Sequence, residues 1–288
     1  MRVAFNAHAL PTVIIAALGA FDRYDLVVSA TLSGDEVELF VRDGYLKLDG
    51  AFDETLAARC REVLWSMLDV DRNDTSTWTR PVIRIPGSVH PELVAAINAP
   101  RLVGAIDDLL GPHGWVPRTE GYGTFAVRFP SDADPGDAGW HIDGSFGDPP
   151  WYRVNYQSRG RALLLLMLFT NVTESDAPTR IKGGSHLDVS RSLQTVDAGG
   201  VVFLPSVHAP DSLCRETIYV TGRAGDVFLC HPFLVHAASW PHRGQQPRFI
   251  AQPCIHHREG EWLGGFDYDD LSLDCPVKRA VREAVAKP

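Results

Sequence analysis

In the stretch GWHIDGSFGDPPW, residues 139 to 151, His141 and Asp143 stand two apart. On an extended strand alternate side chains share a face, so an imidazole and a carboxylate at this spacing can converge on one ion. Taken alone, the pair does not separate a metal site from a hydrogen-bonded loop histidine beside a turn aspartate. A second stretch, AGDVFLCHPFLVHAASWPHRGQQPRFIAQ, residues 224 to 252, adds an apolar strand, then His236, then Arg248 at the head of another apolar strand. Two histidines and one carboxylate with open coordination positions form the ligand set of non-haem Fe(II) oxygenases. An arginine one strand beyond the second histidine suits a dicarboxylate on such a metal, because guanidinium pairs with carboxylate bidentately and keeps its charge when buried. The chemistry predicted is therefore Fe(II) with 2-oxoglutarate as cosubstrate and dioxygen. On this reading His141, Asp143 and His236 are the candidate metal ligands and catalytic centre, and Arg248 is the candidate anchor of the distal carboxylate, with Arg243 as its rival.

The elements that must position these residues change character along the chain. SGDEVELFVRDG reads as a helix that Ser33 caps, with Glu36 three residues on and Gly44 at its end. Residues 53 to 68 place Leu56, Cys60, Val63, Leu64 and Met67 at helical spacing, and shorter helices fit 91–98 and 101–110. From about residue 120 the texture turns to short β-type runs separated by Gly, Pro, Asp and Asn, the pattern of a sandwich or barrel. The runs are 123–129, 140–142, 161–170, 200–204, 216–221, 226–230, 234–238 and 248–255, followed by a C-terminal helix over 276–286. The fold class is mainly β with flanking helices, a jelly roll in one domain over residues 31–288, with residues 1–30 as an N-terminal extension.

Composition excludes several function classes. With 27 Lys and Arg against 36 Asp and Glu, the formal net charge of −9 opposes the basic footprint that nucleic acid or an anionic membrane surface demands. The apolar stretch 9–21 is interrupted by Pro11 and is too short to span a bilayer, so no membrane partner is expected. Cys60, Cys214, Cys230, Cys254 and Cys275 form no CxxC pattern, and an odd, scattered set fits small buried residues in a reducing cytoplasm. A small-molecule substrate remains, and its identity is not legible, nor is the oligomeric state.

Around the four chemical residues, Arg128 and Arg180 are candidates for an anionic substrate group, and Trp140 and Phe146 are candidate pocket walls. Each also has a plain reading as a surface ion pair or core aromatic. His231, five before His236, reads as a wall residue rather than a ligand. Ser185 can cap a helix that carries His186, and adjacent His256 and His257 point opposite ways on a strand and read as exposed.

Taken together and in order, GWHIDGSF, the GGSH of residues 183 to 186, GDVFLCHPFLVHAAS with a following arginine, and the opening FVRDGYLKLDGAFD resemble the phytanoyl-CoA dioxygenase family over roughly residues 40 to 255. The resemblance implies a double-stranded β-helix with iron at its mouth, with His141, Asp143 and His236 as its ligands and Arg248 as the 2-oxoglutarate anchor, and oxidative decarboxylation of 2-oxoglutarate to succinate and carbon dioxide. It also implies hydroxylation over halogenation, because Asp143 stands where related halogenases leave room for halide. The chain departs from the family in two places. Ala238 stands where a serine is common two residues after the distal histidine, so Ser239, one further on, is the candidate 2-oxoglutarate contact. Asp176-Ala177-Pro178-Thr179-Arg180 replaces the usual Asn-Gly-Pro before the Gly-Ser-His turn. Two rivals stay open: a cupin-like metal oxygenase or isomerase without 2-oxoglutarate, and a non-catalytic jelly-roll binding protein.

Overall fold

The computed structural model describes residues 30–112, 114–118, 123–148, 151–158, 161–258 and 275–286. The extension expected over 1–30 therefore lies outside the described residues, apart from Ala30. The described helices are α1 (Gly34–Asp43), α2 (Glu54–Ser66), α3 (Pro91–Ile97), α4 (Pro100–Leu110), α5 (Ser185–Leu193), α6 (Pro205–His208), α7 (Asp211–Cys214) and α8 (Pro276–Ala286). The strands are β1 (Tyr45–Leu48), β2 (Val82–Ile85), β3 (Trp115–Val116), β4 (Phe125–Arg128), β5 (Arg161–Leu168), β6 (Arg180–Lys182), β7 (Thr217–Tyr219), β8 (Val227–Cys230), β9 (His236–Ala237), β10 (Arg248–Ala251) and β11 (Cys254–His257).

Local chemistry sets the helix ends. Ser33 and Glu36 exchange backbone-to-side-chain bonds in a capping box at the start of α1. Gly44 ends it at φ 75°, where a Cβ would stand 2.3 Å from His186 Nδ1, so a side chain is barred there by both conformation and space. In α2 the Asp53 carboxylate accepts from Leu56 N, and Leu56, Ala57, Cys60 and Leu64 are buried. Val63 packs partly buried against them, while Met67 has left the helix and is exposed.

The major sheet runs β1-β8-β5-β10-β4-β2, with β11 pairing both β5 and β3, and the minor sheet runs β7-β6-β9. Every recorded pairing is antiparallel. The chain thus has the expected jelly-roll fold. The unbroken apolar run of β5 follows from its place at the middle of the sheet, with both faces buried. Its odd residues Leu163, Leu165 and Met167 join Val227, Leu229, Phe249 and Ala251 in the core shared with the helices. Its even residues Leu164, Leu166 and Leu168 join Phe228, Cys230 and Ile250 in a second cluster with Ile181 and Leu234, which belong to or adjoin the minor sheet. Arg248 shares the parity of Ile250 and therefore points between the sheets.

Three features differ from the sequence reading. Residues 140–142 form only an isolated bridge at His141, between Gly139 and Gly144, and 200–204 only a bridge at Val201, between Gly199-Gly200 and Pro205. The run 248–255 is two strands, since Pro253 has no N–H to continue the ladder. The strands β2, β3 and β6 lie outside the predicted runs, because they are only two to four residues long and β2 and β6 carry arginine or lysine. Among the described residues, no helix is long and apolar enough to cross a membrane.

Candidate metal centre

His141 and His236, far apart in sequence, are direct cross-strand partners. Each backbone N–H donates to the other's carbonyl at 2.9 Å, and the two rings lie 4.4 Å apart, centroid to centroid. Each imidazole is also tied locally, with His141 Nδ1 2.9 Å from Gly139 O and His236 Nδ1 3.0 Å from Leu234 O. A carbonyl only accepts, so both Nδ1 atoms carry the proton and both Nε2 lone pairs are left for an ion. Asp143 comes from the loop that follows, and its Oδ1 stands 3.9 Å from His236 Nε2. One ligand atom from each of the three residues lies within 4.8 Å of the others. Two imidazoles and a carboxylate in this arrangement can hold a divalent metal on one face.

Arg161 completes the geometry, and the sequence reading missed it. Its Nη1 donates to Asp143 Oδ2 at 2.9 Å, which leaves Oδ1 as the oxygen facing His236. Burial raises the Asp143 carboxyl, yet His236 and Arg161 together hold it below the usual carboxylate range. Burial and the neighbouring His141 push His236 down to about 4, so its imidazole is neutral at physiological pH. The one signal that could have found Arg161 is its position at the head of an apolar strand, the same position that singled out Arg248.

A cavity of about 270 Å³ is lined by His141 and His236 together with Arg84, Arg128, Asp137, Thr179, Arg248 and others. Asp137 neutralises one side of it. Arg128 Nη2 lies 2.6 and 2.7 Å from its two oxygens, and Arg84 Nη2 lies 2.6 Å from Oδ2. Burial opposes ionisation of Asp137, but these two arginines keep its carboxyl below the ordinary range. Arg248 is different. It is 2% exposed, its Nη1 donates to Ala177 O, its Nε has no hydrogen-bond partner, and no carboxylate among the described residues lies within ion-pair distance. Burial, with Arg128 opposite it in the sheet, pushes its guanidinium down to about 9, which still leaves it cationic at neutral pH. A buried cation that lacks its counter-ion in a cavity with two free imidazoles is matched by an anionic ligand.

The remaining sequence candidates divide. Arg128 lines the cavity but is paired with Asp137. Arg180 spans Ala138 O at 2.9 Å and Ala238 O at 2.8 Å, and its guanidinium lies 4.7 Å from the Trp140 ring centroid. Lys182 Nζ also lies 4.8 Å from the same ring, so this aromatic serves as a cation platform. Phe146 packs over Gly200, whose Cβ would fall 2.4 Å from its ring, and does not line the cavity. Ser239 donates to Pro178 O at 2.6 Å and lines a separate cleft with Arg243, because one extra residue turns it away from the face of His236. Arg243 is largely exposed.

Ser185 does not cap α5, whose N-cap is Gly184 in the left-handed region. Its hydroxyl instead accepts from Val235 N at 2.9 Å, and so fixes the residue before His236. His231 is fully buried against His186, 5.0 Å between ring centroids, away from the cavity. His256 is exposed, whereas His257 is buried, a correction that follows from the second layer that β11 faces.

Comparisons with known proteins bear on this arrangement. Residues 40–250 match the family described as Phytanoyl-CoA dioxygenase (PhyH). Ectoine dioxygenases of Bordetella parapertussis and Bordetella bronchiseptica are each 29% identical over 171 residues, covering 54% of this chain and 50% of theirs. The chain thus spans about half the length of the curated relatives it matches. Among solved structures, the non-heme alpha-ketoglutarate-dependent carbocyclase SnoK of nogalamycin biosynthesis superposes with a TM-score of 0.56 at 20% identity, over 78% of this chain and 84% of that one. EctD from S. alaskensis, solved with 2-oxoglutarate and 5-hydroxyectoine, gives 0.51 at 21% identity, over 80% and 77%.

Proposed function

The chain belongs to the phytanoyl-CoA dioxygenase family, and from that premise we propose that it is an Fe(II)/2-oxoglutarate-dependent dioxygenase that hydroxylates a small-molecule metabolite. The observation that carries the reading is one cavity that contains both free imidazoles and the buried, counter-ion-free Arg248. The residues fit the group they would hold: two nitrogens and one carboxylate oxygen on one face match Fe(II), and the orphaned guanidinium matches a dicarboxylate cosubstrate. Bound there, Fe(II) and 2-oxoglutarate with dioxygen would supply the oxidising power that puts one oxygen atom into the substrate and the other into succinate, with release of carbon dioxide.

The chain's own residues do the positioning. His141 and His236 bind through Nε2, each oriented by a backbone carbonyl on Nδ1. Arg161 fixes which Asp143 oxygen faces the ion. Arg248, buried in the cavity wall, would hold the distal carboxylate of the cosubstrate, where low local dielectric strengthens charge-assisted bonds. Asp143 occupies the place a halide would need, which favours oxygen transfer over halogenation, and the similarity to ectoine dioxygenases supports the same reaction class. A cupin-like enzyme without 2-oxoglutarate would leave Arg248 as an uncompensated buried charge.

Anaerobic reconstitution with Fe(II) and 2-oxoglutarate tests the assignment. The expected result is the weak visible charge-transfer band of a 2-oxo acid chelated to Fe(II). A folded, iron-loaded protein that shows no such band on adding 2-oxoglutarate overturns it.

A further inference from the structure

Cys254 opens β11 at the end of the sheet that carries the cavity, two residues beyond Gln252 of the cavity lining. Its sulfur is not left to itself. Sγ lies 3.3 Å from His256 Nε2 on the same strand face, and Arg118 Nη2 donates to Sγ at 3.3 Å while Arg118 Nε donates to the Cys254 carbonyl at 2.8 Å. The strands that flank β11 add no acid to this group. From β3 comes Arg118, just past the strand end, and from β5 comes Arg161, the register partner of His256. Arg161 is itself paired with Asp143, Nη1 to Oδ2 at 2.9 Å.

We propose that Cys254, held between His256 and Arg118, is a nucleophilic thiolate and a covalent modification site for soft electrophiles and hydrogen peroxide, next to the metal centre. Imidazole and guanidinium donors stabilise a thiolate and not a thiol, which is the arrangement found around reactive cysteines. Burial raises the Cys254 thiol, but the bond from His256 and the charges of Arg161 and Arg118 outweigh it and bring it down to about 7. The contrast within the chain is direct: burial in apolar surroundings pushes Cys60 up to about 12 and Cys230 further still. Cys254 is also half-buried and not sealed, so a small reagent can reach it.

With hydrogen peroxide the step balances without another reactant. The thiolate attacks one peroxide oxygen, an S–O bond forms as the O–O bond breaks, and the other oxygen leaves to solvent as hydroxide, so thiolate and hydrogen peroxide become sulfenic acid and hydroxide. Sulfur is oxidised by two electrons to sulfenic acid, and peroxide is reduced by two. Cys254 is linked to Asp143 through two residues: His256 is the register partner of Arg161, and Arg161 pairs with Asp143.

The test is site-resolved alkylation of the full folded chain with iodoacetamide from pH 5.5 to 9.5, read by peptide mass spectrometry. The expected rate profile for Cys254 has its midpoint near 7, with about 15-fold more thiolate at pH 7 than an ordinary thiol with a pKa of about 8.5. His256→Gln should move that midpoint up towards the ordinary value, and dimedone should trap a sulfenic acid at Cys254 after peroxide in the parent protein. His256 is exposed, so this variant removes no core contact, and circular dichroism checks its fold. Arg118→Gln is a second variant with the same expected direction. A parent midpoint at or above 8.5, or a midpoint near 7 that His256→Gln leaves in place, overturns the proposal. These readouts do not need iron or 2-oxoglutarate, so their outcome is separate from that of the oxygenase assignment.

Discussion

Arg248→Met separates a ligand anchor from a structural cation because the two roles predict opposite signs. Arg248 is buried with an orphaned Nε and, among the described residues, one carbonyl partner and no carboxylate at ion-pair distance, and burial holds its guanidinium down to about 9. A depression of that kind means that folding pays for the charge, so an unbranched apolar side chain of similar length should leave the apoprotein as stable as before or more so. Cosubstrate binding should show the reverse. Removing one partner of a desolvated, charge-assisted pair costs about 2–5 kcal/mol, which is a loss of roughly 30- to several-thousand-fold in affinity for 2-oxoglutarate. Metal affinity should change little, because Arg248 is not among the three clustered ligands. The assays are calorimetric titration of 2-oxoglutarate into protein loaded with a redox-inert divalent metal, and thermal unfolding of the metal-free form. Unchanged 2-oxoglutarate affinity in Arg248→Met would refute the anchor. A large fall in the thermal midpoint of the apoprotein would refute the argument that its charge is unpaid without ligand.

Two further outcomes follow from the same geometry. Arg161→Met frees Asp143 Oδ2 from its 2.9 Å partner, and metal affinity measured by chelator competition should fall by about 10-fold or more, the usual effect of losing an orienting partner, while stability moves by less than about 1 kcal/mol because the pair is partly exposed. An unchanged metal affinity would show that Asp143 is oriented by the fold alone. In acid, burial holds His186 down to about 4 and His257 down to about 3, so the unfolded chain takes up these protons below about pH 6.5 before the folded one does. Stability should therefore fall as pH drops from 6.5 towards 4, by up to on the order of 3 kcal/mol from His186 alone, with Asp226 adding to the loss only below the usual carboxylate range because Gly50 N, Arg223 N and Lys47 outweigh its burial. Urea midpoints that are flat between pH 6.5 and 4.5 would contradict this.

His141, Asp143, His236 and Arg248 could be named from the sequence because their spacing is set by strand geometry: alternate residues share a face, and an arginine at the head of an apolar strand has nowhere neutral to go. The helices α1, α2 and α8 were legible for the same kind of reason, since caps and 3.6-residue periodicity are local. What local rules do not contain is which residues meet across the sheets. That His141 and His236 are hydrogen-bonded partners, that Asp137 neutralises Arg128 and leaves Arg248 bare, and that Ser239 turns into another cleft all depend on register between segments distant in sequence. Arg161 and the Cys254–His256–Arg118 group were invisible for that reason: each side chain is ordinary in its own segment, and its chemistry comes from a neighbour that only antiparallel pairing supplies. The sequence determined that two histidines, a carboxylate and an arginine stand at spacings that suit a metal ion and an anionic ligand. The tertiary structure decided which charges around it are already paired, because burial and pairing are properties of packed faces and not of residues in a row.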